Sequence, residues 1–458
     1  MRPTDTYPKH LPLHYAVLLV LLGAASVYVQ GVASLAWLAI IVCTIYGFAI
    51  DDLRWLWYGV AMSPGVEVWA RMARAPLVPH EIGKYYLLLV IVLLLIQHTR
   101  RHSHQPLYHI GTFILLCLVP GLIVAFSVFN FEYWVLNALG VIELGLLLIF
   151  SARERWSIEK YCSVLQLAIV PMLPILVYLT LKTPDFDDIN FKLGSNFKTS
   201  GNFGSNQVST ILGMGLVLTT LLTIVRRPLF RVNWLNYLLI ALLLFRGLLT
   251  FSRGGIITAL LAITIAILYM AFINRRLFAR TLLAVVVLAS LGTFIFIKVN
   301  DLTKNQLLLR YQGETAGTLS GSKQRTINTI TSSRLLLAQT DWEIFKDNIW
   351  FGAGPGMSKD LRSQYGFIDI VSHTEFTRLL SEHGMGGMLV TIILIVFPFY
   401  WVRKQRLRIW RAMCSSLFAF ALLTSVHSAM RTNTTVVCFV LAAMPVYLLR
   451  KSNAARDV

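Results

Sequence analysis

Apolar runs long enough to cross a bilayer recur along almost the whole chain, and they leave few choices for its fold. About twenty apolar residues span the hydrocarbon core as a helix, and backbone groups in that layer must be hydrogen-bonded internally. Windows of apolar residues between polar breaks place candidate spans beginning near Leu13, Val32, Trp55, Ile82, Leu107, Tyr133, Tyr161, Phe203, Trp234, Gly255, Thr281, Met385, Trp410 and Thr434. Hydrophobic residues make up 56% of the 458 and charged residues only 14%, which excludes an ordinary soluble domain. The expected fold is all-α: a polytopic integral membrane protein of about 12–14 transmembrane helices with one large helical loop. The expected division is 1–299 for the first eleven helices, 300–384 for the loop, and 385–458 for the last three helices and a short tail. The run from Trp55 to Ala73 carries Pro64, Glu67 and Arg71, so it fits a broken or re-entrant helix almost as well as a span.

Charge sets the orientation. In a fourteen-span arrangement one side collects "QHTRRHSHQ", "SARERWSIEK", "RRPLFR", "NRRLFAR", "WVRKQRLRIWR", Arg54 and both termini, with 22 Lys and Arg against 6 Asp and Glu. That is a net +16 of the chain's +19, so both termini are expected in the cytoplasm. The positive charge is therefore a topology signal, and no nucleic-acid partner is needed to explain it. The five cysteines fall in or beside spans and have neither disulfide nor zinc spacing.

Chemistry is then expected on the opposite side, in two places. The first is "FSRGG", Phe251 to Gly255, opening the tenth span. A helix N-terminus exposes N–H groups, glycines allow close backbone approach, and Arg253 adds a planar cation, which together make an anion site. A snorkelling arginine with glycines for helix packing fits the same spacing. Arg246, one to two turns earlier, lies below the interface, where a charge is costly, and favours function. The second place is "VSHTEFTRLLSEHGMGGML", where His373 is a candidate general base or an ordinary surface histidine. Glu375, Arg378 and Glu382 neighbour one another at helical spacing. No HEXXH-type spacing is present, so no metal is expected. Asn206 and Gln207 open the eighth span and suit either hydroxyl partners or helix capping. "FGAGPGM", Phe351 to Met357, reads as a turn. Ser333 to Asn348 reads as a loop helix whose apolar face, Leu335, Leu336, Trp342, Ile344, Phe345 and Ile349, packs on the membrane domain. Glu67 and Glu143 read as protonated structural carboxyls or as the lining of a polar path.

These segments in this order resemble the O-antigen ligase and polymerase superfamily: "FSRGG" opening a span, "DNIWFGAGPGM" within a large loop, and "HTEFTRLLSEHGMGG" at its end, with "NFGSNQVS" before them. The resemblance covers about Asn202 to Gly387. It implies a metal-independent glycosyltransferase without cofactor in a bacterial inner membrane, its active site facing the periplasm. The donor would be a glycan on a polyprenyl pyrophosphate. The acceptor would be another glycan, in a polymerase of O-antigen or exopolysaccharide repeats, or lipid A-core, in a ligase; polymerase is slightly favoured. Arg253 would hold the pyrophosphate, His373 would activate the acceptor hydroxyl, and Arg334 would support the phosphate. Arg378 and Glu375 would act as helix neighbours of His373. Many ligases carry a small polar amide after the histidine, whereas this chain has Thr374 and Glu375, which bears on acceptor type. A flippase or transporter is the rival from another class, but polar residues near the bilayer midplane and internal repeats are its usual marks, and no repeat is found.

Overall fold

The computed structural model describes residues 9–97, 105–126, 130–271, 275–331, 333–367, 372–430 and 432–447. The basic segment around 98–104 and most of both termini, used above for orientation, lie outside the described residues.

Each expected span is a helix. They are α1 (Leu13–Tyr28), α2 (Gly31–Ala49), α3 (Arg54–Ala73), α4 (Ile82–Ile96), α5 (Gln105–Ala125), α6 (Phe131–Ser151), α7 (Ile158–Lys182), α8 (Ser205–Ile224), α9 (Asn233–Leu249), α10 (Arg253–Ala271) and α11 (Arg275–Leu302). In the loop follow α12 (Gln306–Tyr311), α13 (Arg334–Asp347) and α14 (Met357–Leu361), and then α15 (Glu375–Lys404), α16 (Arg408–His427) and α17 (Thr434–Ala443). Among the described residues nine helices are long and apolar enough to cross a membrane, and four more are shorter apolar helices. The protein is therefore an all-α polytopic membrane protein. Its only sheet among the described residues is one parallel pairing of Trp156–Ser157 (β1) with Val446–Tyr447 (β2), which hydropathy gave no sign of.

Two kinds of helix build the bundle. Helices α1, α2 and α11 expose long apolar side chains such as Val17, Leu21, Leu38, Val42, Phe294 and Ile297, at no cost where the surrounding solvent is lipid. Helices α3, α8 and α17 are enclosed by their neighbours. The doubtful α3 is one continuous helix through Pro64. Its charges are matched inside the protein: Glu67 takes Arg71 and caps α17 by accepting from the Asn433 N–H at 3.1 Å, and Arg71 also meets Glu81. Glu67 thus has a structural role. Glu143 is equally buried, and neither of its carboxyl oxygens has a hydrogen-bond partner among the described residues.

The helices that will carry the site pack through small residues. α8 lies against α10, and α10 against α16. A Cβ on Gly213 would fall 2.5 Å from the Gly255 carbonyl oxygen, so the two backbones touch there.

Helix α15 starts ten residues before the expected span and breaks at Gly384, where φ is +57° and ψ is −134°. The break is occupied by "FGAGPGM", the expected turn, with Gly352, Gly354 and Gly356 all at positive φ. The Ala353 and Gly354 N–H groups donate to the carbonyls of Ser381 and Glu382, and the Met385 N–H donates to Ile349 at 2.6 Å. The loop is thereby fastened to the first turns of α15. At Gly384 a side chain would meet the Ile349 carbonyl at 2.5 Å on a backbone that disfavours L-residues. Gly384→Ala is expected to cost about 2 kcal/mol or more, read as a lower melting temperature in detergent; an unchanged melt would contradict the account of this joint.

Candidate functional site

The site forms where the loop sits on the ends of α8, α10 and α16. Residues 195–205 are fixed first. Asn196 donates its N–H to Thr250, its carbonyl accepts from the Ser200 and Ser205 hydroxyls, and Thr199 donates to the Leu249 carbonyl. This aligns the start of α8 with the 250–253 turn. Ser252 is then clamped twice, donating its hydroxyl to Asn206 Oδ1 at 2.7 Å and accepting from Ser209 Oγ on its carbonyl at 2.8 Å. Phe251 has φ +55° and is buried, its ring stacked on Phe191 at 5.4 Å. A bulky residue in that conformation carries about 1–3 kcal/mol of strain, which the stacking and the Ser252 clamp hold in place.

Gly255 is a packing glycine, because a Cβ would run into the backbone of Ser209. Arg253 is half-buried and reaches the loop, donating from Nη1 to the Arg310 carbonyl at 3.0 Å and from Nη2 to the Ile330 carbonyl at 2.6 Å. Two further arginines gather there. Burial, followed by the charges of Arg253 and Arg334, pushes the Arg310 guanidinium down to about 10. Arg334 is lowered by burial and by Arg253. Both stay charged at neutral pH, so three mutually repelling cations share one locus, which favours an anion of more than one negative charge. Arg253 and Arg334 were expected from the sequence. Arg310 was not: it sits on α12, a six-residue helix, with no motif around it.

His373 lines a cavity that adjoins the Ser252 turn through Asn206. A cavity of about 240 Å³ is lined by Ser195, Phe197, Gly204, Ser205, Asn206, Gln207, His373 and Ser428. The expected pair Asn206 and Gln207 is therefore brought together with His373. Asp341, which sequence reasoning missed, holds His373 from both flanks: its Oδ2 accepts from Ser372 Oγ at 2.6 Å and from Thr377 Oγ1 at 2.8 Å, while its Oδ1 is bonded to the buried Arg362. Thr374 adds a hydrogen bond to the Val426 carbonyl at 3.2 Å.

Three expectations can be compared with the structure. On α13 the buried stripe is Leu337, Thr340, Asp341, Ile344 and Phe345, whereas Leu335, Leu336, Trp342 and Ile349 are exposed. The helix is turned so that Asp341 can reach Arg362. Arg378 and Glu375, expected to act as helix neighbours of His373, do not line the cavity. Arg378 is enclosed between Glu375 and Glu382 and donates to the Asn137 carbonyl, and Glu375 also accepts from the Met430 N–H at 2.9 Å. They join α15 to the α6 and 430 backbones. Arg246 is buried, donates to Thr183 Oγ1 at 3.2 Å, lies 5.7 Å from the Phe245 ring centroid, and does not line the cavity either. Among the described residues no group of three or more His, Cys, Asp or Glu is placed to hold a metal ion.

Fold and site define a multi-span α-helical membrane protein with a trio of arginines next to a histidine cavity. Residues 238–385 match the family described as O-antigen ligase. The matched region holds Arg246, Arg253, Arg310, Arg334 and His373 but not Asn206 or Gln207. No curated protein matches the chain.

Removing the Asp341 carboxylate leaves Arg362 charged and buried. Asp341→Ala is expected to cost about 3–5 kcal/mol, measured as lost thermal stability of the purified protein. A melting temperature equal to that of the unaltered protein would contradict the assignment of Asp341 as the anchor of the His373 segment.

Proposed function

We propose that the protein is a membrane glycosyltransferase that moves a glycan from a polyprenyl pyrophosphate to an acceptor hydroxyl on the periplasmic face of the inner membrane. The observation that carries this reading is the convergence of Arg253, Arg310 and Arg334 beside a cavity lined by His373. Expelling a lipid pyrophosphate develops negative charge, which preorganised guanidinium groups stabilise. The attacking hydroxyl must lose its proton, and an imidazole within reach takes it. In the proposed step the acceptor oxygen bonds to the anomeric carbon as that carbon's bond to the phosphate oxygen breaks. The proton passes to His373 and then to water, and the pyrophosphate leaves as an anion against the arginines. Asn206 and Gln207 present amides suited to sugar hydroxyls, while Glu375 and Arg378 serve by fixing the start of α15. Arg246 stands apart, buried and donating to Thr183 Oγ1, and is given no role in the step. No metal or cofactor is assigned a role.

The match of residues 238–385 supports ligase or polymerase chemistry in general. We favour a polymerase of O-antigen or exopolysaccharide repeats; the ligase, with lipid A-core as acceptor, performs the same bond exchange. The test is transfer by purified protein in lipid, with a defined polyprenyl-pyrophosphate repeat and a chelator, with and without lipid A-core. Chain growth from the repeat alone is expected, and Arg253→Ala or His373→Ala is expected to slow it by about 10²–10⁴. Transfer only when lipid A-core is added would make the protein a ligase. Undiminished transfer by both variants would overturn the site, and dependence on metal would overturn the metal-independent mechanism.

A further inference from the structure

His427 closes α16 at the loop end and is only 4% exposed. Among the described residues neither Nδ1 nor Nε2 makes a well-formed hydrogen bond, and the one backbone group acting on the ring is its own. A buried histidine serving only as packing ordinarily satisfies at least one nitrogen, because an orphaned donor costs more than the bond it forgoes is worth.

The surroundings of the ring say what would satisfy it. His427 rests on the first turn of α10: a Cβ on Gly254 would fall 2.6 Å from the ring's Cγ and Nδ1, so glycine at this position is what admits the imidazole. That turn presents helix N–H groups and follows directly from Arg253. Arg334 and His373 lie within electrostatic reach of the ring. The next residue, Ser428, lines the cavity of His373, and the preceding one, Val426, accepts the hydrogen bond from Thr374. The end of α16 therefore touches both halves of the site. The ring thus has the first turn of α10 against it and a cation within reach, and the partner such a place lacks is an anionic acceptor.

We propose that His427 is a phosphate-binding residue: its ring N–H donates to a phosphate oxygen of the pyrophosphate held by Arg253 and the first turn of α10. The assignment rests on the transferase reading for the identity of the anion, and it lies outside residues 238–385. A neutral imidazole supplies one N–H donor without adding a fourth positive charge to the three arginines. It also explains the first glycine of the motif: Gly255 admits α8, and Gly254 admits this ring.

The test compares the unaltered protein with His427→Phe, which keeps an aromatic ring without nitrogen, and His427→Gln, which keeps a side-chain N–H. Two readouts are used: transfer kinetics in lipid with the polyprenyl-pyrophosphate donor, and thermal stabilisation by inorganic pyrophosphate. His427→Phe is expected to raise the donor KM tenfold or more with a smaller change in kcat, and to lose the stabilisation by pyrophosphate. His427→Gln is expected to recover most of both. A donor KM in His427→Phe equal to that of the unaltered protein, or equal impairment of Phe and Gln variants, overturns the proposal and leaves His427 a packing residue. Should His427→Phe fail to accumulate, Gly254→Ala displaces the ring instead, and an unchanged KM there overturns it. The two readings fail separately. If the unaltered protein transfers nothing but pyrophosphate stabilises it through His427, the anion site stands and the transferase reading falls; if it transfers and His427→Phe does so equally well, only this proposal falls.

Discussion

Three guanidinium groups that repel one another, on Arg253, Arg310 and Arg334, are held at one place by the loop folded over the end of α10. Like charges brought together at a protein surface repel one another. Such an arrangement persists only because the backbone bearing it is fixed elsewhere. Arg253 is tied to the loop through the carbonyls of Arg310 and Ile330, so the residue that opens α10 also seats the lid. In the proposed function that repulsion is relieved by a multivalent anion, which would favour pyrophosphate over singly charged ligands.

What fixes the loop is a set of interactions that contact no substrate. The "FGAGPGM" turn closes around the break of α15 at Gly384, Arg378 between Glu375 and Glu382 joins the same helix to α6, and Asp341 with Arg362 grips the residues on either side of His373. Most of the buried charge at this end of the molecule is thus spent on position. That division explains why the site has many ionisable residues and yet few that face the cavity.

The sequence made the helices legible because hydrocarbon length and backbone satisfaction constrain apolar runs so tightly. The exception, α3, was ambiguous because Glu67 and Arg71 look unfavourable in a span until Asn433 and Glu81 are seen to meet them, and those partners are distant in sequence. Arg253, Arg334, His373, Asn206 and Gln207 could be picked out because they stand in recognisable segments at helix ends, and the structure gathers them at one end of the bundle. Arg310 and His427 could not: one lies on a short helix without pattern, the other is the last residue of an apolar helix. Asp341 and Arg362 are paired across a turn that no spacing rule connects. For Glu375 and Arg378 helical spacing correctly made them neighbours, but spacing does not say which face of α15 is enclosed, and the enclosed face is theirs.

The most direct test of the central claim is binding of polyprenyl pyrophosphate and of the corresponding polyprenol to the purified protein in nanodiscs, by native mass spectrometry, for the unaltered chain and for Arg310→Ala. The account predicts one tightly held pyrophosphate lipid, displaced by inorganic pyrophosphate and weakened at least tenfold by Arg310→Ala, with little retention of the polyprenol. Equal retention of both lipids, or binding indifferent to Arg310, would contradict the arginine cluster as the seat of the donor.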